Sequence, residues 1–133
     1  MTRPRFVSFL RGNTPGYGVV SGDGIVDLTV RHAARWRTLR EAIADGALPR
    51  LAEAANGVSP DIALEDIRFA LPVPQPEKII CVGVNYADRN EEYKDGKDLP
   101  SYPSLFPRFA RSFVGHGEKV IRPKASPQFD YEG

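Results

Sequence analysis

The stretch Leu71-Pro72-Val73-Pro74-Gln75-Pro76-Glu77-Lys78-Ile79-Ile80-Cys81-Val82-Gly83-Val84-Asn85-Tyr86 divides the chain into two parts of different character. Prolines at alternate positions restrict φ and remove amide donors, so Leu71 to Pro76 is expected to run extended and to pair poorly in a ladder. It reads as a junction over 72–77, between a small domain at 1–71 and a second domain at 78–133. From Lys78 to Val84 the residues are apolar and β-branched, the pattern of a buried strand. Gly83, Asn85 and Tyr86 lie where that strand gives way to a polar turn, and catalytic groups favour strand-end loops on a rigid scaffold.

Upstream of the junction the pattern is a small meander. Arg5 to Leu10 reads as a strand broken by Gly12, Asn13, Pro15 and Gly16, and Tyr17 to Val20 as the next. Ser21-Gly22-Asp23-Gly24 is a tight turn in which Asp-Gly supplies positive φ, and Ile25 to Leu28 resumes the strand. Thr38 and Glu41 have capping-box spacing ahead of a helix from about Leu39 to Asp45, with Leu39, Ala42 and Ile43 on one face and Gly46 as its stop. A second helix covers Arg50 to Ala55, ended by Asn56-Gly57, and Ile67 to Leu71 returns to strand.

Downstream, prolines at 100, 103, 107, 123 and 127 predict loops and short strands. Phe129-Asp130-Tyr131-Glu132 alternates like a strand just beginning. A strand abandoned there leaves ladder groups unpaired, so the chain is expected to be truncated at Gly133. The expected fold class is α+β and largely β.

The 133 residues include 18 Lys plus Arg against 17 Asp plus Glu, and this balance supports neither a polyanion-binding protein nor an acidic tail. The one cysteine, Cys81, cannot form a disulfide within the chain, which makes the cytoplasm the expected location. No apolar run is long enough for a membrane span, and Met1 to Leu10 lacks a signal-peptide core. The chain contains no P-loop, no G-x-G-x-x-G, no paired cysteines and no G-x-S-x-G elbow.

Three places can carry chemistry. Asn85 to Tyr93 is a polar cluster after a strand, and reads either as a solvated helix start or as an active-site rim; in a helix Arg89 and Glu92 share a face. Asp130 and Glu132 lie on one face of a strand, where they can address a hard cation or simply meet solvent. His116 sits between Gly115 and Gly117, which permit close backbone approach and leave the imidazole unshielded, as in many plain loops. Around it Arg108, Arg111, Lys119, Arg122 and Lys124 interleave with Phe106, Phe109 and Phe113, but no nucleic-acid motif accompanies them.

Taken in order, Pro-x-Pro, Lys78 to Tyr86, Glu92, Tyr102-Pro103-Ser104-Leu105-Phe106, Val114-Gly115-His116-Gly117 and Asp130-Tyr131-Glu132-Gly133 resemble the fumarylacetoacetate hydrolase family. The resemblance is strong from Leu71 to Gly133 and holds in outline for the N-terminal domain. It implies the beginning of a mixed β-sandwich roll catalytic domain after a small N-terminal α/β meander domain. It further implies Mg²⁺, or Mn²⁺ or Ca²⁺, a small 2-oxo or diketo acid substrate, a homodimer, and no nucleic-acid or membrane partner. Members cleave C–C bonds in aromatic catabolism, or act as decarboxylases, isomerases, hydratases and tautomerases.

Carried over by position, Glu132 is the first metal glutamate of the family's Glu-x-Glu motif. The second would follow Gly133, so the 133-residue chain alone is expected to be inactive and to hold no tight Mg²⁺. Asn85, Tyr86, Arg89 and Tyr131 become substrate contacts. Hydrolytic members carry His-x-x-Glu where this chain has Arg89 and Glu92. Arginine stays protonated and has no acceptor, so Arg89 grips a substrate carboxylate or orients Glu92. Glu92 is the candidate base or acid, and His116 the candidate replacement for the missing imidazole. The expected activity is C–C hydrolysis of an acylpyruvate-like substrate through a metal-bound enolate. Tautomerisation, isomerisation or decarboxylation of an oxo acid, or non-catalytic oxo-acid binding, are the alternatives.

Overall fold

The computed structural model describes residues 3–83 and 102–128. They form two compact units, 3–74 with 114–128 and 75–83 with 102–113. The first is built on an antiparallel five-stranded sheet. Its strands are β1 (Phe6–Arg11), β2 (Thr14–Ser21), β3 (Gly24–Asp27), β4 (Ile62–Ala63) and β5 (Arg68–Phe69), in the order β4-β3-β2-β1-β5.

The expected meander is present, with its turns tighter than the sequence suggested. Arg11 pairs with Thr14 across Gly12-Asn13, and Ser21 with Gly24 across Gly22-Asp23. Positive φ falls on the first glycine of each turn, Gly12 at 60° and Gly22 at 57°, rather than on the glycine of Asp-Gly. Pro15 and Gly16 do not break the sheet but lie within β2. The third strand stops at Asp27, one residue earlier than expected, because its carboxylate accepts from the amides of Thr29 and Val30 and so caps a helix, α1 (Leu28–His32), that strand periodicity concealed.

Helix α2 (Leu39–Ala44) begins at the expected cap: Thr38 Oγ1 accepts from Glu41 N at 3.2 Å, while the Glu41 carboxylate reaches one residue beyond the capping-box amide and accepts from Arg37 N at 2.6 Å. Leu39 and Ala42 are its buried residues, whereas Ile43 is exposed instead of sharing their face. Helix α3 (Leu48–Ala55) starts two residues before the expected Arg50, with Pro49 in its first turn, where a missing N–H costs nothing.

Both sheet faces are covered. One carries Tyr17, Val19 and Val26 against Leu28, Trp36, Leu39, Ala42, Leu51 and Ala55. The other carries Phe9, Ile25 and Ile62. Gly16 faces Phe9 across the strands, and a Cβ there would stand 2.6 Å from the phenyl ring, so the glycine makes room for the ring. Tyr17 Oη donates to the Trp36 carbonyl at 3.0 Å, and Trp36 Nε1 to Asp45 Oδ2 at 2.9 Å, so the polar ends of both aromatics are satisfied.

The second unit holds β6 (Ile80–Gly83) and β7 (Ser104–Pro107), antiparallel, with Cys81 opposite Phe106 and Val82 opposite Leu105. The expectation of a buried strand over Lys78–Val84 fails among the described residues: Ile80 is 63% exposed, Val82 51% and Leu105 68%. The β-branched run identified the strand, but among the described residues the two-stranded ribbon has no second layer to bury it. The proline-spaced junction also departs from a uniformly extended path, since Gln75 takes φ of 53° between Pro74 and Pro76.

Candidate functional site

Of the residues singled out from the sequence, Asn85, Tyr86, Arg89, Glu92, Asp130, Tyr131 and Glu132 lie outside the described residues. The strand that leads to the first four, β6, is described as far as Gly83. Its partner β7 carries Phe106, over whose ring the Arg108 guanidinium sits at 4.5 Å, and Arg108 N donates to Ile79 O at 3.2 Å. These two contacts fasten the Ile79 end of the ribbon.

His116 is described, and it belongs to the first unit. Its imidazole packs against Phe69 of β5 with ring centroids 5.3 Å apart and planes at 83°, an edge-to-face contact. The turn around it is closed by Glu118 N donating to Gly115 O at 3.1 Å, and Gly117 takes φ of 78°. Beside it Arg68 Nη1 lies 3.2 Å from Glu118 Oε1. A histidine acting as a base is ordinarily oriented by a group that accepts from its second nitrogen. Among the described residues none accepts from His116. Sequence reasoning missed Arg68 and Phe69 as its neighbours, since only the close-approach character of Gly115 hinted that the turn lies against a backbone.

A depression of about 530 Å³, open to solvent, is lined by Arg35, Trp36, Glu41, Ala44 and Asp45. Its charges are mutually satisfied, Arg35 pairing with Asp45 at 3.2 Å and stacking over the Trp36 ring at 4.7 Å. Among the described residues no group of three or more His, Cys, Asp or Glu side chains could hold a metal ion, and no helix is long and apolar enough to cross a membrane.

The model of the fumarylacetoacetate hydrolase C-terminal domain matches residues 78–133, from two residues before β6 onward. The chain belongs to the fumarylacetoacetate hydrolase family. It is similar to the mitochondrial oxaloacetate tautomerase Fahd2a of Rattus norvegicus, 34% identical over 122 residues that cover 89% of this chain and 38% of that protein. It is also 36% identical over 73 residues to the oxaloacetate tautomerase YisK of Bacillus subtilis (strain 168), covering 53% of this chain and 24% of that one. The crystal structure of an HpcE-like protein from Mycobacterium smegmatis superposes with a TM-score of 0.67 at 25% identity, over 90% of this chain and 41% of that one. The chain thus spans about two fifths of the length of the rat relative. Within this family the sheet-rich α+β architecture expected from the sequence is the observed one.

Proposed function

We propose that the protein acts as a keto–enol tautomerase of a small 2-oxo diacid of the oxaloacetate type. The observation that carries this reading is Arg89 standing three residues before Glu92 where the hydrolytic pattern has histidine. Hydrolysis needs an activated water, and an arginine cannot take its proton. Tautomerisation consumes no water and breaks no C–C bond; a proton leaves the carbon beside the carbonyl and one arrives on the carbonyl oxygen. The names of the rat and Bacillus relatives support the same chemistry.

In this reading the Glu92 carboxylate takes the proton from the substrate methylene. The C–H electron pair becomes the C=C bond, the carbonyl π pair moves to oxygen, and the carboxyl returns the proton there. Arg89 grips a substrate carboxylate with two parallel N–H donors. Asn85, Tyr86 and Tyr131 complete the substrate contacts. Glu132 would be one of the residues to hold the divalent ion that the resemblance implies, and that ion, when bound, would supply Lewis-acid stabilisation of negative charge on the substrate oxygens. A homodimer in the cytoplasm belongs to the same reading; fractionation decides between that compartment and the mitochondrion named for the rat relative.

The test follows the enolic ultraviolet absorbance of oxaloacetate with the protein in its full natural length and a divalent ion present. Faster loss of absorbance without pyruvate release is expected. Pyruvate released from an acylpyruvate would instead establish C–C hydrolysis. Saturable oxo-acid binding with neither reaction would establish a binding protein.

A further inference from the structure

The edge of the first unit's sheet is formed by β5, and its backbone is not left open. Ala70 N donates to Ser8 O at 2.9 Å, while Phe69 stands opposite Phe9 and Arg68 opposite Leu10. Antiparallel pairs alternate between hydrogen-bonded and non-hydrogen-bonded, so with Ala70 bonded inward, the amide and carbonyl of Phe69 point away from β1, out of the sheet. The Gly115 backbone lies against that carbonyl, so closely that a Cβ on residue 115 would overlap the Phe69 oxygen. On either side of this contact His116 meets the Phe69 ring and Glu118 meets Arg68.

We propose that the Gly115–Glu118 turn is a strap that closes the exposed edge of the N-terminal sheet, with Gly115 admitting it and His116 holding it as an aromatic contact. An open sheet edge is a template for pairing with another chain, and covering it with a loop is one way proteins prevent this. The three contacts differ in weight. The Arg68–Glu118 pair is largely exposed, with side chains 59% and 34% accessible, and adds little. The fit of Gly115 is decisive, because backbone atoms cannot yield as a side-chain tip can.

The test uses hydrogen exchange and sedimentation on the whole protein. The native amide of Glu118, which donates to Gly115 O, should be protected. In Gly115→Ala it should exchange about tenfold faster or more while Ala70 stays protected, as expected for local opening, and concentration-dependent self-association should rise. A variant that does not fold leaves the question open to Phe69→Leu, which keeps apolar volume but removes the ring current acting on His116. The His116 imidazole protons should then shift measurably in the nuclear magnetic resonance spectrum. An unprotected native Glu118 amide, unchanged exchange in a folded Gly115→Ala, or unshifted His116 protons in Phe69→Leu would each overturn the proposal.

Discussion

Arg31 and Asp61 meet as a two-point pair: Nη2 donates to Oδ1 at 2.9 Å while Nη1 donates to Oδ2. The same Oδ2 accepts from the Asp27 amide at 2.8 Å, and the same Nη1 donates to the Asp27 carbonyl at 2.8 Å. One carboxylate therefore ties the end of β3, helix α1 and the approach to β4 together. The Arg31 hydrogen bond first, and the Asp27 amide second, hold the Asp61 carboxyl below the usual carboxylate range.

A carboxylate with a lowered folded pKa stabilises above its ordinary value and loses that contribution as pH falls through the lowered one. Asp61→Asn should therefore flatten the acid limb of stability against pH. At neutral pH the cost should be small, about 0.5 kcal/mol, because the two side chains are 37% and 35% exposed. Urea unfolding at neutral pH and in strong acid measures both effects.

Tyr17 carries the opposite dependence. Burial, then the Glu41 and Asp27 carboxylates, push its phenol above the ordinary range. Its stabilisation is present below the ordinary tyrosine value and lost as pH rises through the raised one. Tyr17→Phe should remove this alkaline loss and, by leaving the Trp36 carbonyl without its donor, cost about 1 kcal/mol near neutrality. Thermal unfolding of both proteins across the alkaline range checks the sign.

Leu51 is fully buried in α3, within the cluster that joins helices to sheet. Leu51→Ala should destabilise by about 2–5 kcal/mol, a transfer loss plus a cavity. In a unit this small that approaches the whole stability of a small domain. Chemical denaturation with circular dichroism as probe should show the midpoint falling without a change in native signal.

Local chemistry explains why the strands and caps of the first unit could be read from the residues. Gly12 and Gly22 announce their turns, and Thr38 with Glu41 announces α2, since each signal lies within a few residues of its effect. Helix α1 was concealed because Asp27 serves both as the last residue of β3 and as a helix cap. Burial of β6 was misjudged because exposure depends on what packs over Ile80 and Val82, which no local run encodes. The partners of His116 were out of reach for the same reason: Phe69 and Arg68 stand far away in sequence, joined to it only by the return of the chain. The candidate residues around Glu92 rest on motif order alone.

Arg89 offers the sharpest test of the proposed chemistry. Charge-assisted bonds to a substrate carboxylate contribute about 1.5–3 kcal/mol, so Arg89→Gln should raise KM for oxaloacetate roughly tenfold to a hundredfold. Lysine keeps the charge but not the planar fork, so Arg89→Lys should recover only part of that loss. Glu92→Gln, which keeps shape and removes the base, should instead lower kcat by about a hundredfold or more with little change in KM. Arg89→His restores the His-x-x-Glu pattern of the hydrolytic members and supplies an acceptor. If the arginine is what separates the two reactions, this variant should lose oxaloacetate tautomerisation and gain measurable pyruvate release from an acylpyruvate. Unchanged KM in Arg89→Gln would remove Arg89 from the substrate site, and an Arg89→His variant that keeps tautomerisation and releases no pyruvate would remove the reason for preferring tautomerisation.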